Sequence, residues 1–177
     1  MAELQTLNKR LAKTPAATVQ RNQYLAFTLG NETFAMDIRL IKEIIQYGDI
    51  TEVPLMPEFV RGVINLRGSV VPVLDLSLRF GKACTDITRH TCIVILEVQH
   101  GDDIVVLGAI VDQVNEVMEI GSSDIEPAPA FGSNLRSDFI SGVGKVGGKF
   151  VILLDVNHVL SIDELATLSA GSEGAAP

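Results

Sequence analysis

Few side chains in this chain could carry chemistry. The histidines, His90, His100 and His158, are far apart, and neither an HExxH nor a CxxC spacing occurs, so no metal site can be read. Cys84 and Cys92 read as reduced structural thiols of a cytosolic chain. There is no GxGxxG ahead of a helix, no GxxxxGK[ST] and no GxSxG. Gly142-Val-Gly-Lys-Val-Gly147 has the outline of a glycine-rich nucleotide loop, but it holds one lysine and falls in a hairpin, where turns account for its glycines. Asp75 and Asp155 follow apolar strands and read as caps of short helices. Titratable groups do not converge, so neither a catalytic residue nor a cofactor is expected.

The polar residues that do stand out are Asn65 and Arg67. They lie in Val53-Pro-Leu-Met-Pro-Glu-Phe-Val-Arg-Gly-Val-Ile-Asn-Leu-Arg-Gly-Ser-Val-Val-Pro-Val-Leu-Asp-Leu76. Two apolar runs around Arg67-Gly68-Ser69 predict a β-hairpin. Pro72 cannot donate to a ladder, so its side of the strand is an edge or meets a bulge. Asn65 and Arg67 sit among β-branched residues, where burial would require partners.

The hairpin occurs twice. Phe59 to Leu76 aligns without gaps on Phe139 to Val156, matching Phe59 with Phe139, Gly62 with Gly142, Gly68 with Gly148 and Asp75 with Asp155. Upstream, Ala35–Ile44 lies on Gly108–Val117, and Val53-Pro54 falls on Glu126-Pro127. The period is far longer than that of a solenoid, which implies two copies of one small domain. Asn65 and Arg67 become Lys145 and Gly147, so the first copy holds polar groups that the second lacks.

The elements that position these residues are short strands. Tyr24–Leu29 and the alternation around Phe34, Met36 and Ile38 predict a first pair. Asp37–Ile45 fits strand and helix spacing alike and is read as a kinked extended segment without a cap. Leu76–Phe80 reads as a helix stopped at Gly81, Lys82–His90 as the linker, and Cys92–Val98, Ile104–Val111 and Val114–Ile120 as strands of the second copy. Ser161-Ile-Asp-Glu164 is a capping box with Leu160 and Leu165 as a staple.

The chain has 177 residues, 47% hydrophobic and 5% aromatic, with a mean hydropathy of +0.31, so its core is mostly aliphatic. It suits one domain or two small ones. No run is long enough for a transmembrane helix, and no secretory segment is read. The net charge of −8 disfavours nucleic acid and anionic membranes and leaves a protein as the natural partner. The expected fold is all-β: two five-stranded barrels side by side, which removes exposed edges and leaves a groove between them. Residues 1–22 are expected as a mobile arm with one helical turn, about 23–81 and about 91–157 as the barrels, about 161–168 as a closing helix and 169–177 as a tail.

With the Pro-x-Phe-Val-Arg-Gly-Val-Ile-Asn-Leu-Arg-Gly and Val-Pro-Val-Leu-Asp-Leu stretches in hand, the chain resembles the CheW family from about Gln23 to about Leu165. That resemblance implies two SH3-like barrels and a non-catalytic, cytoplasmic adaptor at the inner face of the membrane. It would couple methyl-accepting chemoreceptor tips to the histidine kinase CheA. A pilus or surface-sensing system is the alternative setting, and a small-ligand barrel or enzyme is a weaker reading. Carried over, the receptor-binding groove falls on Leu25, Ile38, Ile41, Glu43, Ile44, Gly62, Arg67 and Val114. The kinase-facing surface falls on first-barrel loops, with the Gln46–Ile50 turn among the candidates and no residue assigned. Read from the residues alone, an aliphatic groove suits a helix laid in by its apolar face. Glu43 and Arg67 can pair across the first barrel, either to fix it or to mark the groove.

Overall fold

The computed structural model describes residues 4–8, 21–127 and 139–160. One helical turn, α1 (residues 4–8), precedes eleven strands: β1 (Arg21–Leu29), β2 (Glu32–Asp37), β3 (Ile41–Gln46), β4 (Val60–Leu66), β5 (Ser69–Asp75), β6 (Cys92–His100), β7 (Asp103–Val111), β8 (Gln113–Gly121), β9 (Ile125–Glu126), β10 (Ile140–Val146) and β11 (Lys149–Leu154). Two more single-turn helices, α2 (Leu76–Arg79) and α3 (Val156–Val159), follow β5 and β11. As expected, Asp75 and Asp155 cap them, accepting from the N–H of Ser77 and of His158. The capping box and closing helix lie outside the described residues.

The strands form two sheets, ordered β8-β1-β2-β11-β10-β9 and β3-β6-β7-β5-β4. Neither sheet is one contiguous half of the chain, which corrects the assignment of about 23–81 and about 91–157 to separate barrels. The first two strands of the first copy share a sheet with the last four of the second, and the first two of the second share one with the last three of the first. Val73 on β5 stands beside Gly108 on β7, and Leu153 on β11 stands beside Ala35 on β2, both in parallel ladders. These registers uphold the alignment of Ala35 with Gly108. Farther on it shifts by two residues: Thr51 bridges Val63 as Glu126 pairs Val143, so Thr51, not Val53, is the counterpart of Glu126.

The exchange has a local cause at the corners. Between β2 and β3 the chain makes one 3-10 turn, Ile38–Leu40, capped by the Asp37 carboxylate accepting from the Arg39 N–H. That cap was missed in the sequence. It turns β3 out of the sheet holding β1 and β2. Asp112 marks the matching corner between β7 and β8, where its N–H donates to the Thr28 carbonyl and its carboxylate accepts from the Gly30 N–H.

Burial divides into three clusters. Ile64, Val71, Val73, Ile93, Ile95 and Ile110 are enclosed by the five-stranded sheet alone. Ala35, Ile120, Val151 and Leu153 are enclosed by the six-stranded sheet alone. The largest cluster lies between the sheets and takes Leu25, Phe27 and Phe34 from one side and Leu74, Val94 and Leu96 from the other. β6 therefore buries both faces as far as Leu96, which is why Cys92–Leu96 reads as an unbroken apolar run. Arg79 ties the copies together: its guanidinium stacks over the rings of Phe59 and Phe139, and its Nε donates to the Val159 carbonyl.

Lys82–His90 is mostly exposed but anchored. Thr85 is buried and donates through its N–H and hydroxyl to Asp75, and the Thr91 hydroxyl accepts from the Thr88 N–H.

Candidate functional site

The β4–β5 hairpin turns on two residues, Arg67 and Gly68, with φ of 52° and 90°. Positive φ at both positions is the turn whose twist matches paired strands. Glycine takes that conformation freely, but arginine does not. Asn65 holds the turn, its Oδ1 accepting from the Gly68 N–H at 2.7 Å. In the second copy Gly147 and Gly148 take the same turn with φ of 59° and 80°. Asn65 and Arg67 are exposed, and each finds its partner at the surface.

That strained position aims Arg67 across the sheet. Its guanidinium forks onto Glu43, with Nη1 to Oε1 at 2.5 Å and Nη2 to Oε2 at 2.9 Å. Glu43 follows a bulge in β3, where the register slips between Ile41 and Glu43 opposite β6. The hydrogen bond from Arg67 holds the Glu43 carboxyl below the usual carboxylate range, and the same bond raises the guanidinium. The Arg67 side chain is 72% exposed and that of Glu43 20%. The pair therefore adds little to stability and fixes geometry instead.

Leu25, Ile38, Ile41 and Ile44 belong to the cluster between the sheets, with Val114 half-buried against it. Gly62 lies buried on β4, at a register slip opposite β5. A Cβ there would fall 2.1 Å from the Thr51 carbonyl oxygen, and φ is 148°. The structure thus gathers five candidates around the inter-sheet core and places Glu43 and Arg67 on the outside of the five-stranded sheet.

Three features escaped the sequence reading. First, a groove opens where Pro72, read as unable to donate to a ladder, leaves β5 without its β7 neighbour: β5 and β7 pair only from Val73 onward. Before that point the strands frame an open groove of about 480 Å³ lined by Arg67, Val70, Pro72 and Ile104. Val70 and Ile104 are exposed there. Secondly, Leu55 is exposed in the β3–β4 loop with a φ of 65°, a conformation leucine rarely adopts. Thirdly, the Asn8 carboxamide of α1 bonds both backbone groups of Ile44, accepting from its N–H at 3.0 Å and donating to its carbonyl at 3.2 Å. Leu4 and Leu7, one turn apart, were the only trace of it in the sequence.

Among the described residues, no three His, Cys, Asp or Glu side chains are placed to hold a metal ion. Cys92 is buried, which pushes its thiol up, whereas Cys84 is exposed beside Arg61.

Residues 23–164 match the family described as CheW-like domain. The chain is 34% identical over 166 residues to the chemotaxis protein CheW of Klebsiella aerogenes, covering 94% of this chain and 95% of that one. It is 32% identical over 166 residues to the chemotaxis protein CheW of Helicobacter pylori, covering 91% and 98%. The crystal structure of the scaffolding protein TtCheW from Thermoanaerobacter tengcongensis superposes with a TM-score of 0.73 at 30% identity, covering 85% and 94%.

Proposed function

This chain belongs to the CheW family, and from that premise we propose that it couples the cytoplasmic tips of methyl-accepting chemoreceptors to a CheA-type histidine kinase. Proteins of this family are scaffolding adaptors, not enzymes, and this one is a chemotaxis scaffold. The observation that carries the coupling role is the Glu43–Arg67 pair. It is present in one copy only, and it holds Arg67 in a backbone conformation that the second copy gives to glycine. A fixed charged landmark beside an apolar cleft contributes more to choosing a partner than to folding.

On this reading Glu43, Arg67 and the half-buried Val114 touch the receptor directly. Leu25, Ile38, Ile41, Ile44 and Gly62 act from beneath, by setting the shape of the cleft. The β3–β4 loop, with Leu55 at its exposed apex, is the surface offered to the kinase. No described helix is long and apolar enough to cross a membrane, so the proposed place at the inner face of the membrane is reached through receptors.

Reconstitution with a CheA-type kinase and a receptor signalling fragment tests this. Arg67→Ala is expected to keep the fold and to lower receptor-dependent kinase stimulation about tenfold, in line with loss of a desolvated charged contact. Undiminished ternary assembly and stimulation by the folded variant would refute the role of the pair. No binding of kinase or receptor by the wild-type chain would refute the coupling itself.

A further inference from the structure

α1 is too short to be helical by itself, because a single turn does not repay the cost of nucleation. It is held by what it docks on. Leu7 is buried in the same cluster as Leu25, Ile38, Ile41 and Ile44, and Leu4 packs against that cluster. These leucines are three residues apart and so share one helix face. The next residue, Asn8, bonds to the N–H and carbonyl of Ile44. β3 is an edge strand, so those groups have no strand neighbour, and the carboxamide satisfies both as a strand would.

We propose that α1 is a place-holder. It occupies in cis the cleft that a partner helix enters, and it shows what that helix must carry. The requirement is two leucine-sized side chains one turn apart on the buried face, followed at once by a carboxamide that grips the Ile44 backbone. The partner has to displace α1, so its apparent affinity is lowered by the fraction of chains in which α1 is docked. Naming the incoming helix as a receptor tip rests on the function proposed above; the occupancy of the cleft by α1 does not.

The test uses the full chain and the variant Asn8→Ala, with a receptor signalling fragment as probe. In Asn8→Ala the Ile44 amide is expected to exchange with solvent roughly tenfold faster while other strand amides hold their protection. Its affinity for the fragment is expected to rise about threefold to tenfold, as removal of a competing cis contact requires. In the wild-type chain, saturating fragment should shift the Leu7 amide resonance to its position in a free peptide of residues 1–10. Unchanged or weaker fragment binding by a folded Asn8→Ala, or a Leu7 resonance unmoved at saturation, would overturn the place-holder while leaving receptor binding intact. Failure of the wild-type chain and the variant alike to bind the fragment would overturn the partner named here together with the receptor reading.

Discussion

Arg67 and Glu43 join the two outermost strands of the five-stranded sheet. Glu43 lies on β3 and Arg67 at the end of β4, the outermost strands of the order β3-β6-β7-β5-β4. A contact between opposite edges requires the sheet to be curled, and the cluster of Ile64, Val71, Val73, Ile93, Ile95 and Ile110 fills the inside of the curl. The ion pair is therefore a strap across the seam. In the second copy Gly147 has no side chain to make it, and Lys145 lies 3.9 Å from Glu126 instead.

The strap should be sensitive to acid. The Glu43 carboxyl is held below the ordinary carboxylate range in the folded chain, so the unfolded chain takes up its proton first. The contribution to stability is present above about pH 4.3, the ordinary glutamate value, and is lost as pH falls through the lower folded one. Arg67 stays charged throughout. The gap in urea midpoint between wild type and Glu43→Gln is therefore expected to be present at neutral pH and to close in acid. Arg67→Gly should be better folded than Arg67→Ala, because glycine relieves the left-handed backbone and alanine does not. Equal thermal midpoints for these two variants would contradict the strain.

Gly62 and Gly142 match in sequence yet should differ in tolerance. At Gly62 an added Cβ meets the Thr51 carbonyl oxygen at 2.1 Å with φ at 148°. At Gly142 the nearest backbone atom is 3.0 Å away and φ is unexceptional. Gly62→Ala is expected to cost about 3 kcal/mol and Gly142→Ala about 1 kcal/mol, measured by urea unfolding. Equal losses would mean that the β4 backbone relaxes away from Thr51.

The capping aspartates form a second such pair. Asp75 is buried, accepts from the Ser77 N–H, the Thr85 N–H and the Thr85 hydroxyl, and has Arg61 at 4.0 Å. Asp155 is a third exposed and faces His158. Asp75→Ala should cost about 3 kcal/mol, because it strands buried donors and frees the loop that Thr85 anchors. Asp155→Ala should cost about 1 kcal/mol, the worth of an ordinary helix cap. Calorimetric unfolding of both variants compares them, and similar losses would show that the Thr85 anchor is dispensable.

Strand identity, the Arg67-Gly68 turn and the two caps were legible because each is a local contest: alternation, positive φ and a carboxylate at a helix start leave marks within a few residues. The pairing of copies was not. A strand of the first copy meets the same residue types whether it pairs within its own copy or with the other, so the repeat cannot tell the two arrangements apart. Burial misled for the same reason. Leu25, Ile41 and Ile44 were placed in the groove by the family resemblance, and whether a third element covers them depends on α1, which carries only Leu4, Leu7 and Asn8 as signal. The Glu43–Arg67 pair, by contrast, was read as able to form and does form, joining β3 to β4.

The reciprocal exchange makes a prediction that separate barrels would not. With separate halves, cutting the connection would release two folded pieces. Here β5 loses its parallel neighbour β7, β2 loses β11, and β3 loses β6 when the halves part. Each half would then expose both faces of strands that are buried on both, and bare edges besides. Ile87, Thr88 and Arg89 are exposed in the connection, where Thr88 bonds Thr91 through its N–H and its carbonyl. A protease site built at Thr88 in the full chain should be cut without loss of the native far-ultraviolet spectrum. The nicked protein should elute as one particle of unchanged mass and come apart only in denaturant. Two folded fragments separating in native buffer would mean that each copy closes on itself in solution, against the strand order seen here.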